Sequence, residues 1–114
     1  MNRVALNLKN GKTVGFLIGE VARISVTYSR HWFRHGRGYS LDAGVLARIE
    51  QSGARLIEFD DKERGQRSRI GVKTFRQHAA PIDYGYGLKL CAPSSWYLPA
   101  ERPQPSLFDE TAQS

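Results

Sequence analysis

A short acidic run followed by a lysine is the first group whose residue types and spacing could carry out chemistry. It consists of Glu58, Asp60, Asp61 and Lys62. Carboxylates hold Mg²⁺ and a lysine can steady an attacking water, so this set would suit metal-dependent cleavage of a phosphodiester. On a strand, Glu58 and Asp60 would share a face. No partner acid precedes the run, however, and a charged hairpin tip explains it more simply. We therefore keep a small metal-dependent nuclease as a minor alternative and assign no catalytic residue.

Three histidines and one cysteine are the other potential metal ligands. His31 and His35 are four residues apart, a spacing that brings two imidazoles together on a helix. The glycines within residues 36–38 argue against a helix there, and His78 would have to be the third ligand. Cys91, in an apolar run, is expected to be a core residue, because a lone cysteine can form neither an intrachain disulfide nor a cysteine-based zinc site. We expect no metal and no cofactor.

Positive charge is the clearest compositional signal. The 114 residues carry a formal net charge of +6, and the sequence pI is about 9.8. Residues 101–114 hold more acidic than basic groups, so the rest of the chain is more basic than the whole. A basic surface favours a polyanion such as DNA as partner.

Two basic clusters supply much of this charge and form the predicted nucleic-acid-binding surface. In the first, arginines and histidines are interleaved with large aromatic residues; in the second, lysines and arginines outnumber a single glutamate. Basic groups contact phosphates, and an aromatic ring that stacks on a base contributes about 1–3 kcal/mol. The predicted residues are Arg30, Trp32, Arg34, Arg37 and Tyr39 in the first cluster, and Arg64, Arg67, Arg69, Lys73 and Arg76 in the second.

Both clusters also have structural interpretations. Trp32 and Phe33 could be core anchors, since large aromatic residues are usually mostly buried. The arginines could form a solvated face or pair with Glu58, Asp60 and Asp61. The sequence has no helix-turn-helix, zinc-finger or ribbon signature that would identify bases, so DNA binding is expected to be single-stranded or non-sequence-specific.

Alternating apolar residues and turn signals predict one small α+β domain over residues 1–98. The expected fold is an antiparallel sheet of five or six strands with one main helix. Asn10 and Gly11 predict a hairpin turn, because both residue types tolerate a positive φ. Residues 30–39 are predicted to be a loop or irregular strand, and residues 81–87 a turn. The predicted strands cover residues 4–8, 13–18, 21–28, 55–59, 67–72 and 88–92.

Helical spacing predicts the main helix after residue 40. Ser40 is the expected N-cap and Gly53 the expected left-handed C-cap. Residues 73–79 are predicted to form one short helical turn capped by Thr74. The apolar stripe of the main helix consists of Leu41, Val45, Leu46 and Ile49.

Residues 99–114 have the composition of a flexible tail, with three prolines and a polar end. Leu107 and Phe108 are an adjacent apolar pair in this polar setting, which indicates anchors for a groove on a partner. Burying each anchor fully would contribute about 1.5–3 kcal/mol. Gln104 adds an amide that can donate and accept, and Pro105 keeps the segment extended.

The segment Gln104-Pro105-Ser106-Leu107-Phe108 resembles the Gln-x-Ser-Leu-Phe motif with which bacterial polymerases, mismatch-repair proteins and some mobile-element proteins bind the DNA sliding clamp. The resemblance implies that Gln104 enters a small polar pocket and that Leu107 and Phe108 enter a larger hydrophobic one. Ser106 matches the preferred small polar residue, whereas Pro105 stands where leucine is commoner. The resemblance covers these five residues alone and implies nothing about the rest of the chain.

These patterns predict a non-enzymatic accessory protein of a bacterium, phage or mobile element that binds the sliding clamp and DNA. The N-terminal residues lack a signal-peptide pattern and no apolar stretch reaches membrane-spanning length, so a cytoplasmic location without membrane contact is expected. The main alternative is a protein–protein interaction module of a defence, counter-defence or toxin–antitoxin system without DNA contact.

Overall fold

The computed structural model describes residues 3–26, 30–33, 36–62, 65–83, 85, 87–93 and 97–99. Within these residues the chain forms ten strands and two helices, and its class is the predicted α+β. The helices are α1 (Ala43–Ser52) and α2 (Val72–His78). The strands are β1 (Arg3–Asn7), β2 (Thr13–Ile18), β3 (Val21–Ser25), β4 (Arg30–Phe33), β5 (Gly36–Asp42), β6 (Leu56–Asp61), β7 (Gln66–Gly71), β8 (Ala80–Asp83), β9 (Leu88–Pro93) and β10 (Leu98–Pro99).

The described strands form two sheets where alternation predicted a single one. The larger sheet has six strands in the order β1-β2-β3-β6-β7-β10, and the smaller has four in the order β4-β5-β9-β8. Neighbouring strands are antiparallel except β3 and β6, which run parallel. A parallel pair requires a long crossover, and here the crossover contains β4, β5 and α1. The second sheet therefore begins in residues 30–39, which the sequence predicted as a loop or irregular strand.

The first hairpin forms where the Asn-Gly signal predicts it. Gly11 adopts φ 87°, a left-handed conformation that glycine accepts without strain. The Leu8 amide donates to the Lys12 carbonyl at 2.9 Å and closes the turn. Gly15 on β2 has a different role, because a Cβ there would lie 2.2 Å from the backbone oxygen of Arg23. The close approach of β2 to β3 thus depends on glycine at this position.

The main helix begins two residues later than the sequence predicted. Asp42, rather than Ser40, is the N-cap, and its carboxylate accepts from the amides of Gly44 and Val45 at 2.9 and 3.2 Å. Ser40 lies buried within β5 because the strand continues through residue 42. The C-terminal prediction is confirmed, since Gly53 has φ 80° and donates to the Glu50 carbonyl. The second helix also differs from the prediction. Its N-cap is Gly71, no side chain caps it by a hydrogen bond, and Thr74 lies within its first turn.

The core lies between the sheets and α1, and its centre is aromatic. Phe59 is fully buried; its ring stacks on that of Tyr39 with centroids 4.8 Å apart and meets Tyr97 edge-on at 5.6 Å. The Tyr97 hydroxyl donates to backbone oxygens of Ala92 and Tyr39, and burial raises the pKa of this phenol. Tyr97 therefore packs on the domain through both its ring and its hydroxyl. Cys91 is buried as well, which fits the predicted core position.

Candidate nucleic-acid interface

One face of the larger sheet carries a row of charged residues that the strand register aligns. Arg23 on β3 lies opposite Glu58 on β6, and Glu58 lies opposite Arg69 on β7. Phe16 on β2 extends the row on the other side of Arg23. Neighbours one position along, such as Ile24 and Phe59, are buried in the core, so this row points away from it. We call this side the outer face.

Glu58 lies at the centre of the row and binds both of its arginines. Its side chain is only 1% exposed although it lies on the outer face, because two guanidinium groups cover it. The Nε–H of Arg23 donates to Oε1 at 2.8 Å, and the Nε–H of Arg69 donates to Oε2 at 3.0 Å. Burial raises the pKa of the Glu58 carboxyl, but the hydrogen bonds from Arg69 and Arg23 outweigh burial and hold the pKa below its ordinary value. The carboxylate therefore stays charged at neutral pH.

The two arginines of the row keep binding capacity toward solvent. Their side chains are 43% and 45% exposed for Arg23 and Arg69, respectively. Each uses its Nε–H for Glu58, and a guanidinium has further N–H donors on its two terminal nitrogens. A guanidinium whose orientation is already fixed loses less entropy when it binds a phosphate, and its planar fork matches phosphate oxygens. The row is thus suited to hold anionic groups.

The next row on the outer face is less cationic. Asp60 lies opposite Arg67, whose Nε is 3.9 Å from Oδ1 of the carboxylate. This Nε is buried and has no hydrogen-bond partner among the described residues. Arg67 therefore lies on the predicted surface but is drawn toward Asp60, which offsets its charge.

Arg3 and Phe16 extend the outer face toward its far edge. The guanidinium carbon of Arg3 lies 4.3 Å from the centre of the Phe16 ring, a cation–π contact. Phe16 is half-buried, so part of the ring faces solvent. The sequence prediction missed Arg3, Phe16 and Arg23, because only the pairing of β1, β2 and β3 with β6 brings them beside Arg69.

The remaining residues of the second cluster lie on α2 or outside the described residues. Arg76 makes two hydrogen bonds to Glu50 of α1, from Nε at 2.9 Å and from Nη2 at 2.7 Å. This pair links the two helices and occupies the guanidinium. Lys73 is exposed on α2. Arg64 lies outside the described residues.

The first cluster is divided by the structure. Tyr39 is only 3% exposed and belongs to the aromatic core, so its predicted role in base stacking is wrong. Arg30, Trp32 and Arg37 lie on the β4–β5 hairpin at the edge of the smaller sheet, with Trp32 paired to Arg37. Their side chains, and all of Arg34, lie outside the described residues. The described strand residues of the two clusters thus lie in different sheets, with Arg67 and Arg69 in the larger sheet and Arg30, Trp32 and Arg37 in the smaller one.

The acidic run does not converge on one point. Glu58 and Asp60 share the outer face as predicted, but Asp61 is fully buried on the opposite side of β6. Both oxygens of Glu58 already accept from arginines. Among the described residues no group of three or more histidine, cysteine, aspartate or glutamate side chains could hold a metal ion. His35 lies outside them, and His78 lies at the end of α2.

The tail motif lies outside the described residues, including Gln104, Ser106, Leu107 and Phe108. Neither helix of the described part is long and apolar enough to cross a membrane. Comparison with models of protein families, with curated proteins and with solved structures gives no match. The residues themselves therefore carry the functional argument.

Proposed function

We propose that this protein is an accessory factor at DNA that binds the bacterial sliding clamp through residues 104–108 and nucleic acid through its basic surface. It is not an enzyme in this proposal, and it acts in the cytoplasm of a bacterium, where clamp and DNA are both found. The tail would raise the local concentration of the body at DNA on which a clamp is loaded. A mobile element or phage is an equally suitable source.

The tail motif is the observation that carries the proposal. Gln104, Ser106, Leu107 and Phe108 match the clamp-binding pattern in type and order. The described fold ends at Pro99 on β10, and few residues separate this strand from the motif. In the sequence, the motif thus follows soon after the folded body. A partner groove can engage such a segment without disrupting the core.

The outer face supports the nucleic-acid part of the proposal. Arg23 and Arg69 are oriented by the shared Glu58, and Arg3 lies over the partly exposed Phe16. A sheet face with oriented arginines offers the phosphate contacts that single-stranded nucleic acid needs, and the planar guanidinium of Arg3 over Phe16 offers a surface on which a base can stack. Such contacts read no base sequence, in agreement with the lack of a sequence-reading motif.

Loss of the apolar anchors is expected to remove clamp binding. The variant Leu107→Ala/Phe108→Ala should bind a purified bacterial sliding clamp at least about 100-fold more weakly than the intact chain, because both side chains that fill the hydrophobic pocket are truncated. Biolayer interferometry with immobilised clamp measures the change. The matched control is Thr111→Ala/Gln113→Ala, which alters the same tail beyond the motif and should bind normally. Equal binding by all three proteins, or by none, would overturn the clamp proposal.

Neutralising the outer face is expected to weaken DNA binding and its salt dependence. Arg3→Gln/Arg69→Gln removes two cations while keeping groups that can hydrogen-bond. If each contacts one phosphate of a single strand, the slope of log K against log salt should become less negative by about 1.4. Fluorescence anisotropy of a labelled single-stranded oligonucleotide between low and moderate salt measures this slope.

Arg55→Gln is the control for that experiment. Arg55 is a highly exposed arginine near Glu20 and lies off the charged row, so its loss should leave the slope unchanged. An intact chain that binds no DNA even at low salt would refute the nucleic-acid part. It would favour the interaction module whose partner is a protein.

A further inference from the structure

A cavity of about 770 Å³ opens at one end of the domain, beside the core and apart from the outer face. Its walls come from the β1–β2 turn, from the start of α1 and from the start of β9. Its interior is mainly apolar, with Val14, Ile24 and Val45 among the buried lining residues. Leu88 also lines it and is 43% exposed, an unusual exposure for a large apolar side chain in this fold. An apolar lining open to solvent is typical of a docking site.

The lining adds positive charge to this apolar interior. Lys9, Arg48 and Lys89 line the cavity together with one carboxylate, that of Asp42. Asp42 is engaged as the N-cap of α1, and the Arg48 guanidinium donates to the backbone oxygen of Asn7. The cavity therefore suits an occupant with large apolar groups next to negative charge.

The tail of this chain has that composition. Leu107 and Phe108 are followed directly by Asp109 and Glu110. The order matches the cavity, because two large apolar side chains could fill the interior while the acids pair with the surrounding cations. The charge contrast extends further, since residues 101–114 carry a net negative charge and the rest of the chain a net positive one.

The register of the larger sheet brings the tail within reach. Leu6, Ile24, Phe59 and Pro99 lie in one row across the sheet. β10 runs parallel to β1, β3 and β6, so the chain leaves Pro99 toward the end of the sheet at which the β1–β2 turn lines the cavity. At about 4.8 Å per strand spacing, β10 is roughly 14 Å from β3 and 24 Å from β1. Residues 100–107 span up to about 26 Å when extended, which is enough.

We propose that this cavity binds the chain's own tail, with Leu107 and Phe108 inside and Asp109 and Glu110 beside Lys9, Arg48 and Lys89. A tethered segment needs little intrinsic affinity, because its effective concentration is in the millimolar range. The docking stands without the clamp. Its consequence rests on the proposed function: the same two anchors serve both sites, so a docked tail cannot bind a clamp and the cavity competes with the clamp for it.

The docking is tested by amide chemical shifts of the ¹⁵N-labelled full chain. Between the intact chain and Leu107→Ala/Phe108→Ala, the amides of Gly44, Leu88 and Lys89 should shift, while those of Arg23 and Arg69 on the outer face should not. The control Thr111→Ala/Gln113→Ala should leave the cavity amides in place. Unchanged cavity amides in the anchor variant would overturn the proposal. So would shifts that vary with protein concentration, because they would indicate a second copy as the occupant.

A change on the cavity side separates this inference from the clamp proposal. Leu88→Asp puts a negative charge at the cavity and should move the Leu107 and Phe108 amides to the positions seen for an undocked tail. Val4→Asp, at a position 55% exposed on β1 and not in the lining, is the matched control. If the Leu107 and Phe108 amide shifts are the same in Leu88→Asp as in the intact chain, the cavity is not the docking site.

Clamp affinity then completes the comparison. If both proposals hold, Leu88→Asp should bind the clamp several-fold more tightly than the intact chain, and Val4→Asp should not. Docking in the shift experiment without any clamp binding would refute the proposed function and leave the docking intact. Clamp binding without docking in the shift experiment would refute the docking and leave the proposed function intact.

Discussion

Replacing Phe59 by alanine is expected to lower the free energy of unfolding by about 3–5 kcal/mol, the usual cost of truncating a buried phenylalanine. The side chain is fully buried at the centre of the core. Its ring contacts those of Tyr39, Tyr97 and Phe75, with centroid distances of 4.8, 5.6 and 6.2 Å. The lost contacts join β6 to both β5 and the residue before β10, so packing between the two sheets would be weakened. The free energy of unfolding of a natural domain is about 5–15 kcal/mol in total, so the variant should lose a large part of its stability.

Urea denaturation followed by tryptophan fluorescence and circular dichroism measures this loss. The matched control is Phe16→Ala, which removes the same side chain from the outer face of the same sheet. Phe16 is only half-buried, so we expect a loss of about 1 kcal/mol or slightly more. Equal losses for the two variants would contradict the assignment of an inner and an outer face.

Removing both arginines of the charged row is expected to destabilise the domain by about 3–5 kcal/mol, because it leaves a buried carboxylate without a partner. Arg23→Met/Arg69→Met tests this effect, because the methionine side chains keep the Glu58 carboxylate covered while both guanidinium groups are removed. In the intact chain, the guanidinium groups at 2.8 and 3.0 Å compensate Glu58, which is 1% exposed. Without them burial alone acts on Glu58 and should raise its pKa above the ordinary value.

The pH dependence of the two proteins should therefore differ in sign. In the intact chain the pKa of Glu58 is lowered, so its contribution to stability is present above the ordinary glutamate pKa of about 4.3 and is lost as pH falls through the folded-state value. In the double variant the pKa is raised. The folded state then binds more protons than the unfolded state, and stability should fall as pH rises from about 4.3 through the raised value.

A third substitution shows whether the stability is lost because the Glu58 carboxylate is unpaired or because the packing of the arginine side chains is missing. Adding Glu58→Gln to the double variant removes the charge and should recover a large part of the stability at neutral pH, although the same arginines are missing. Urea midpoints between pH 3 and pH 8 provide the comparison. If the triple variant is no more stable than the double, the row does not depend on the charge of Glu58.

Local signals in the sequence were sufficient for several elements. Asn10 and Gly11 predicted the first turn, because glycine can adopt a positive φ without help from contacts elsewhere in the chain. Gly53 predicted the end of α1 for the same reason. Of the predicted helical stripe, Val45, Leu46 and Ile49 form the buried face of α1 and are fully buried, whereas Leu41 is buried in β5 before the helix begins.

Competing local signals produced the errors. Ser40 and Asp42 are both good N-caps, and the choice of Asp42 follows from the length of β5, whose residues pair with β9 up to position 42. Tyr39 stands in a basic, aromatic segment, which suggested an exposed ring. Its burial depends on the second sheet lying against Phe59, a contact between residues far apart in sequence.

The sequence by itself determined the net charge, the α+β class and the turn of the first hairpin. These properties depend on composition or on neighbours along the chain. Only the tertiary structure decided that the acid of the supposed nuclease run is instead the centre of the arginine row. Arg23 and Glu58 are 35 positions apart and meet because β3 and β6 pair in parallel. A shift of one residue in that register would turn Glu58 to the other face, so no local pattern could have identified the row.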